Sequence, residues 1–180
     1  MTEQARLEKQ MRSAIISISH LTQVDADLFG CNIWAIRTHR RSDVLKRQGR
    51  LRLSDYPQPD SVLWSKGKGV IGRCWEDRDV VYKNWTATQA RWAQTEEMTD
   101  ADWKALSKRD RWGFDQGEYL RLVRKYSQIL AVPIKDDDGN VLGCISVDIA
   151  TGATAPAGCL EQDDMRTILA SAALTVRDLI

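Results

Sequence analysis

Two stretches of this chain set turn glycines and β-rich runs in a fixed order, and they constrain the fold more than any other feature. The first, Ser65 to Trp85, reads SKGKGVIGRCWEDRDVVYKNW. Its Gly-Lys-Gly turn opens a short apolar helix over Gly69–Asp77, and a strand follows over Asp79–Trp85. The second, Ser127 to Asp148, reads SQILAVPIKDDDGNVLGCISVD. Here an Asp136-Asp137-Asp138-Gly139-Asn140 turn separates two β-rich runs, which predicts a hairpin of Ile129–Ile134 and Val141–Ile149.

The rest of the chain supplies helices around these pieces. Leu7, Met11, Ala14, Ile15, Ile18 and Leu21 recur at three- and four-residue spacing, so Leu7–Val24 reads as an amphipathic helix. Met165, Ile168, Leu169, Ala172, Val176 and Leu179 do the same for Leu160–Ile180. Cys31–Thr38 is a first strand and Ser61–Lys66 another, with the two prolines of YPQPD breaking regular structure between them. From Thr86 to Tyr126 the chain turns polar and helical, with Thr99 or Asp100 as a helix cap and a second helix resuming near Glu118. The 151–158 segment TGATAPAG is a loop of small residues.

A length of 180 residues fits one domain with a full core. The net charge of +1 favours no class of partner. No apolar run approaches a membrane span and the first ten residues lack a signal core, so a cytoplasmic location without a membrane partner is expected. The four cysteines (31, 74, 144 and 159) form no C-x-x-C pair, so metal-ligand spacing is absent and reduced core thiols are expected.

The ordered set Gly67, Gly69, Val70, Ile71, Gly72, then Ala131, Val132, Pro133, Ile134, then Gly143, Cys144, Ile145, Ser146, Val147, Asp148 resembles the GAF domain family. With the flanking helices the resemblance covers most of the chain, and residues 1–180 are expected to form a single domain. It implies an α+β fold, an α/β/α sandwich on a central antiparallel sheet. The N- and C-terminal helices lie on one face. A ligand pocket lies on the other, beneath a helical, Trp-rich insertion at 86–126. It also implies a non-catalytic sensor that binds a small molecule and signals through its end helices. A homodimer through Leu7–Val24 and Leu160–Ile180 is expected, with an output protein or domain as a further partner. The chain ends in helical register at Leu179-Ile180 without a cap or Gly, which fits either a truncation or a helix that once continued into such a module.

Strand alternation assigns the two faces. In the last strand Ile145, Val147 and Ile149 point one way, toward the end helices, while Cys144, Ser146 and Asp148 point toward the pocket. The expected ligand-binding residues are Trp64, Gly69, Arg73, Trp85, Arg91, Ser146 and Asp148. Trp64 and Trp85 end strands beside the glycine-rich helix and offer ring faces for a planar ligand. Gly69 opens a helix whose free N–H groups suit an anion, and Arg73 and Arg91 suit a carboxylate or phosphate, hence a nucleotide-like ligand. Each has a plainer reading: tryptophans that pack the insertion down, a compact glycine turn, and solvated arginines.

No particular cofactor is implied. The N-K-x-n-F-x-x-x-D-E signature of cyclic-nucleotide GAF domains is missing. No Cys lies between Trp75 and Gly143, and His20 and His39 sit far upstream, against bilin or haem attachment. Ser127-Gln128 stands where the family often has Arg-Ser. Two other classes stay open. Free methionine-R-sulfoxide reductases, a catalytic branch of the family, carry a Cys inside the glycine turn and more in the insertion; here the turn is GKGVIG and Cys74 lies two residues beyond it. The basic run Arg37, Arg40, Arg41, Lys46, Arg47, Arg50 and Arg52, opposed by Asp43 alone, would serve an interaction module, though without interleaved aromatics a solvated hairpin is favoured over nucleic-acid binding.

Overall fold

A computed structural model describes residues 2–59, 61–92 and 98–180, with the side chain of Trp92 outside the description. Residues 93–97 of the expected insertion and Asp60 of the proline segment therefore lie outside the described residues. The described elements run α1 (Glu3–Thr22), β1 (Phe29–His39), β2 (Ser42–Arg52), α2 (Gly69–Asp77), β3 (Val81–Asn84) and α3 (Thr86–Trp92). They continue with α4 (Asp100–Ala105), α5 (Gln116–Lys125), β4 (Tyr126–Lys135), β5 (Val141–Ala150) and α6 (Asp163–Val176). The strands form one antiparallel sheet in the order β2-β1-β5-β4-β3.

Helices cover both faces, as an α+β sandwich requires. On one face the stripes of α1 (Leu7, Met11, Ala14, Ile15, Ile18) and α6 (Met165, Leu169, Ala172, Val176) bury against Ile33, Leu130, Val132, Ile145, Val147 and Ile149. The exception is Leu21, which the helical spacing places on the α1 stripe but which is exposed, one residue before the helix ends. On the other face α2, α5 and the Trp112–Phe114 segment pack over Trp34, Ala131 and Cys144.

Local chemistry sets the boundaries. Thr99 caps α4 in a reciprocal capping box with Asp102, and Asp115 does the same for α5 with Glu118. The β4–β5 turn closes through Asn140 N–H donating to Asp136 Oδ1 at 2.7 Å, with Gly139 at φ +80°. The segment Ser61–Lys66 is not a strand. Only Trp64 pairs, its carbonyl accepting from Leu45 N–H at 2.9 Å. The next carbonyl, Ser65, turns away to accept from Lys68 N–H at 3.0 Å, which starts the glycine turn and ends the pairing.

Candidate functional site

Between the sheet and its α2/α5 cover the side chains leave a cavity of about 50 Å3. Its floor comes from the alternation of β1 and β5. Asn32 pairs with Ser146 and Trp34 with Cys144, so these side chains rise on the same face as Asp148. Trp64, Trp85, Phe114 and Tyr126 form aromatic walls, and Val70, Ile71, Leu122 and Ile129 fill the remainder. Trp64 meets Trp34 and Phe114 edge to face, both at 5.8 Å between centroids, an arrangement that aromatic quadrupoles favour.

One end of the cavity is polar. Asp148 is buried, and both carboxylate oxygens are engaged: Oδ1 pairs with the Arg52 guanidinium, and Oδ2 accepts from Asn32 Nδ2 at 3.2 Å. Arg52 also donates to Leu28 O at 3.3 Å, and burial pushes its pKa down to about 10. Gly30 makes room for this pair, since a Cβ there would stand 2.3 Å from Arg52 Nη2. Ser146 Oγ accepts from Trp34 Nε1 at 3.3 Å. A buried ion pair of this kind adds little net stability but fixes the geometry of its surroundings.

Next to it stands Arg47, which is carried onto the pocket face by a β-bulge. Ile33 pairs with Gly49 and Trp34 with Arg47, leaving Gln48 as the extra residue. The Arg47 guanidinium lies 4.6 Å from the Trp34 ring centroid, a cation–π distance. Its Nε is buried and has no hydrogen-bond partner among the described residues.

Of the residues expected from sequence, Trp64, Trp85, Ser146 and Asp148 line this cavity and Gly69, Arg73 and Arg91 do not. Gly69 sits at φ +64°, and its N–H donates to Trp112 O at 2.7 Å rather than pointing at an anion. Its missing Cβ matters instead for the wall, because one would meet Phe114 at 2.6 Å and Trp64 at 2.8 Å. Arg73 stacks on Trp112 at 3.8 Å and donates to Arg109 O, beside an open polar groove with Lys68, Glu76 and Lys108. Arg91 is exposed and borders a separate groove with Lys83 and Trp112. Sequence reasoning missed Asn32, Trp34, Arg47, Phe114 and Tyr126; the signal available was Asn32, a lone amide inside an apolar strand.

The four thiols are free and buried, and burial pushes Cys31 up to about 12 and raises Cys144 and Cys159. Among the described residues no cluster of three or more His, Cys, Asp or Glu forms a metal site, and no helix is long and apolar enough to cross a membrane.

No family model matches the chain, and no curated protein is significantly similar to it. Solved structures give a different result. The type II free methionine-R-sulfoxide reductase of Thermoplasma acidophilum superposes with a TM-score of 0.54 at 13% identity, covering 99% of this chain and 94% of that one. The GAF domain of an Acinetobacter phosphoenolpyruvate-protein phosphotransferase gives 0.53 at 12%, covering 96% and 80%. The GAF domain of a Bacillus halodurans two-component sensor histidine kinase gives 0.50 at 13%, covering 95% and 94%. This is the GAF fold. At these identities the likeness concerns architecture alone. In GAF terms α1 and α6 are the end helices, and the aromatic cavity lies on the opposite face of the sheet.

Proposed function

We propose that this GAF-fold chain is a non-catalytic sensor whose aromatic cavity binds a small molecule. The observation that carries the reading is a concave cavity with ring walls and one polar end, the usual construction of a small-molecule site. Its present volume holds a few water molecules, so a larger ligand requires the α2/α5 cover to move. Signalling then runs through β5. Ser146 and Asp148 face the ligand, while Ile145, Val147 and Ile149 pack beneath α1 and α6 on the same strand. Only a ligand with different affinities for two arrangements can shift those helices.

Two observations weigh against the other classes. A thiol enzyme needs an accessible thiolate, whereas every thiol here is buried. A nucleic-acid surface needs solvated cations, whereas Arg47 and Arg52 turn into the fold and Arg50 donates to Pro57 O at 2.6 Å. The homodimer and an output partner belong to the same proposal. Ile16 on α1 and Leu174 on α6 are 57% and 71% exposed, and a variant with serine at both positions should sediment as a monomer.

The test is a thermal-shift screen of organic acids, amino acids, nucleotides and cyclic nucleotides. A ligand at a hundred times its dissociation constant adds about 2.7 kcal/mol, or roughly 5–10 °C for a domain of this size. The shift should vanish in Trp64→Ala and persist in Arg91→Ala. A shift unaffected by Trp64→Ala would sink the cavity as the site.

A further inference from the structure

The Arg47 guanidinium stacks on Trp34, yet its buried Nε finds no acceptor among the described residues. Were Gln48 paired as an ordinary strand residue, with no bulge, strict alternation would put Arg47 on the face of Gly49 and Leu51, under α1. Gly49 does face that way, since a Cβ on it would meet the Met11 side chain at 2.8 Å. The bulge returns Arg47 to the face of Trp34, Arg50 and Arg52. The other two guanidiniums there are accounted for, Arg52 by Asp148 and Arg50 by Pro57 O. Among the described residues the buried Nε of Arg47 has no hydrogen-bond partner, and burial with the nearby Arg50 charge lowers the pKa of the side chain. Buried guanidinium N–H groups are costly to leave without an acceptor.

We propose that Arg47 holds the anionic group of the ligand, and that the ligand is a small organic carboxylate whose apolar body lies against Trp64, Ile71 and Phe114. The proposal rests on the reading of this cavity as the ligand site. A planar guanidinium matches the two oxygens of a carboxylate. The walls around it are mostly apolar and offer few further donors, which suits a monoanion better than a phosphate. Asp148 does not repel such a ligand, because Arg52 and Asn32 already occupy both of its oxygens. The volume of about 50 Å3 is well below the roughly 150 Å3 of a cavity that takes benzene. Two- to four-carbon acids therefore fit first, and aromatic acids follow only if the cover opens. The anion-binding part expected of Arg73 and Arg91 passes to Arg47.

The experiment is calorimetric titration of the full chain with acetate, propionate, butyrate and benzoate, each beside its neutral amide. At least one acid should bind, and its amide should bind at least about tenfold more weakly, as expected for loss of a charged hydrogen bond. Arg47→Gln should bind acid and amide alike, and Arg47→Lys should keep part of the preference. Equal binding of acid and amide to the unaltered chain overturns the assignment of Arg47 and leaves the cavity as the ligand site. Preference retained in Arg47→Gln places the anion elsewhere, and no binding of any acid also overturns the proposal. Should Arg47→Gln fail to fold, the acid-to-amide ratio in the unaltered chain and in Arg47→Lys decides.

Discussion

The two faces of the sheet are built from the same strands yet held by different physics. Beneath α1 and α6, Ile145, Val147 and Ile149 have no exposed surface and belong to the apolar cluster of that face. One residue along in each case, Cys144, Ser146 and Asp148 meet rings, hydroxyls and charges. The helix face depends on volume and water exclusion, which act without direction. The cavity face depends on donors and acceptors that work only in one geometry. The difference predicts that changes on the first face cost stability in proportion to the volume removed, while changes on the second cost whatever a stranded polar partner costs.

The hardest test of that contrast is Asp148→Ala. It strands the Arg52 guanidinium in a buried site and should destabilise by about 3–5 kcal/mol in urea unfolding. Replacing both partners together, Arg52→Met with Asp148→Leu, should recover most of the loss. A double variant no better than the single one would break the distinction between the faces. Ile145→Ala on the helix face should cost about 3 kcal/mol through transfer and cavity terms, with carboxylate affinity measured by calorimetry nearly unchanged. Gly30→Ala is smaller, about 1–3 kcal/mol, but it should lower ligand affinity as well, since the new methyl group displaces Arg52 from Asp148.

The gentlest probe is pH. The unfolded Cys31 thiol releases its proton near pH 9, whereas the buried one holds it to about 12. The unfolded state therefore binds fewer protons in that window, and stability falls as pH rises from 9, at no more than about 1.4 kcal/mol per pH unit for this group. Unfolding curves at pH 8, 9 and 10 should show a shallower decline in Cys31→Ala.

Much of this was legible in the sequence because strands alternate their side chains between two faces, and here the two faces differ in chemistry. Ile145, Val147 and Ile149 against Cys144, Ser146 and Asp148 predicted both the helix face and the floor of the cavity. The glycine turn likewise predicted α2 to the residue, and Thr99 predicted the start of α4. The departures have local causes. Charge and nearness in sequence to α2 single out Arg73 and Arg91, yet neither lines the cavity: a helix buries one side only, and Arg73 lies on the side facing Trp112 and solvent. Ser61–Lys66 carries a strand-like pattern, with Val62 buried and Leu63 exposed, but the turn at Ser65 consumed the next partner. In the basic run Arg37, Arg40, Arg41 and Lys46 are exposed, as a solvated hairpin requires, while the inward turn of Arg47 depends on a bulge that a strict period of two does not show.

That bulge also bears on how chains like this one are to be compared. A relative without the extra residue would place its pocket-facing side chain at the position of Gln48, and every residue of β2 before it would change sides. An ungapped match there would set Arg47 opposite a residue that packs under α1. The gap belongs in the middle of a strand, where alignments are least inclined to open one, and the position of Arg47 can be followed through descent only if it is placed there.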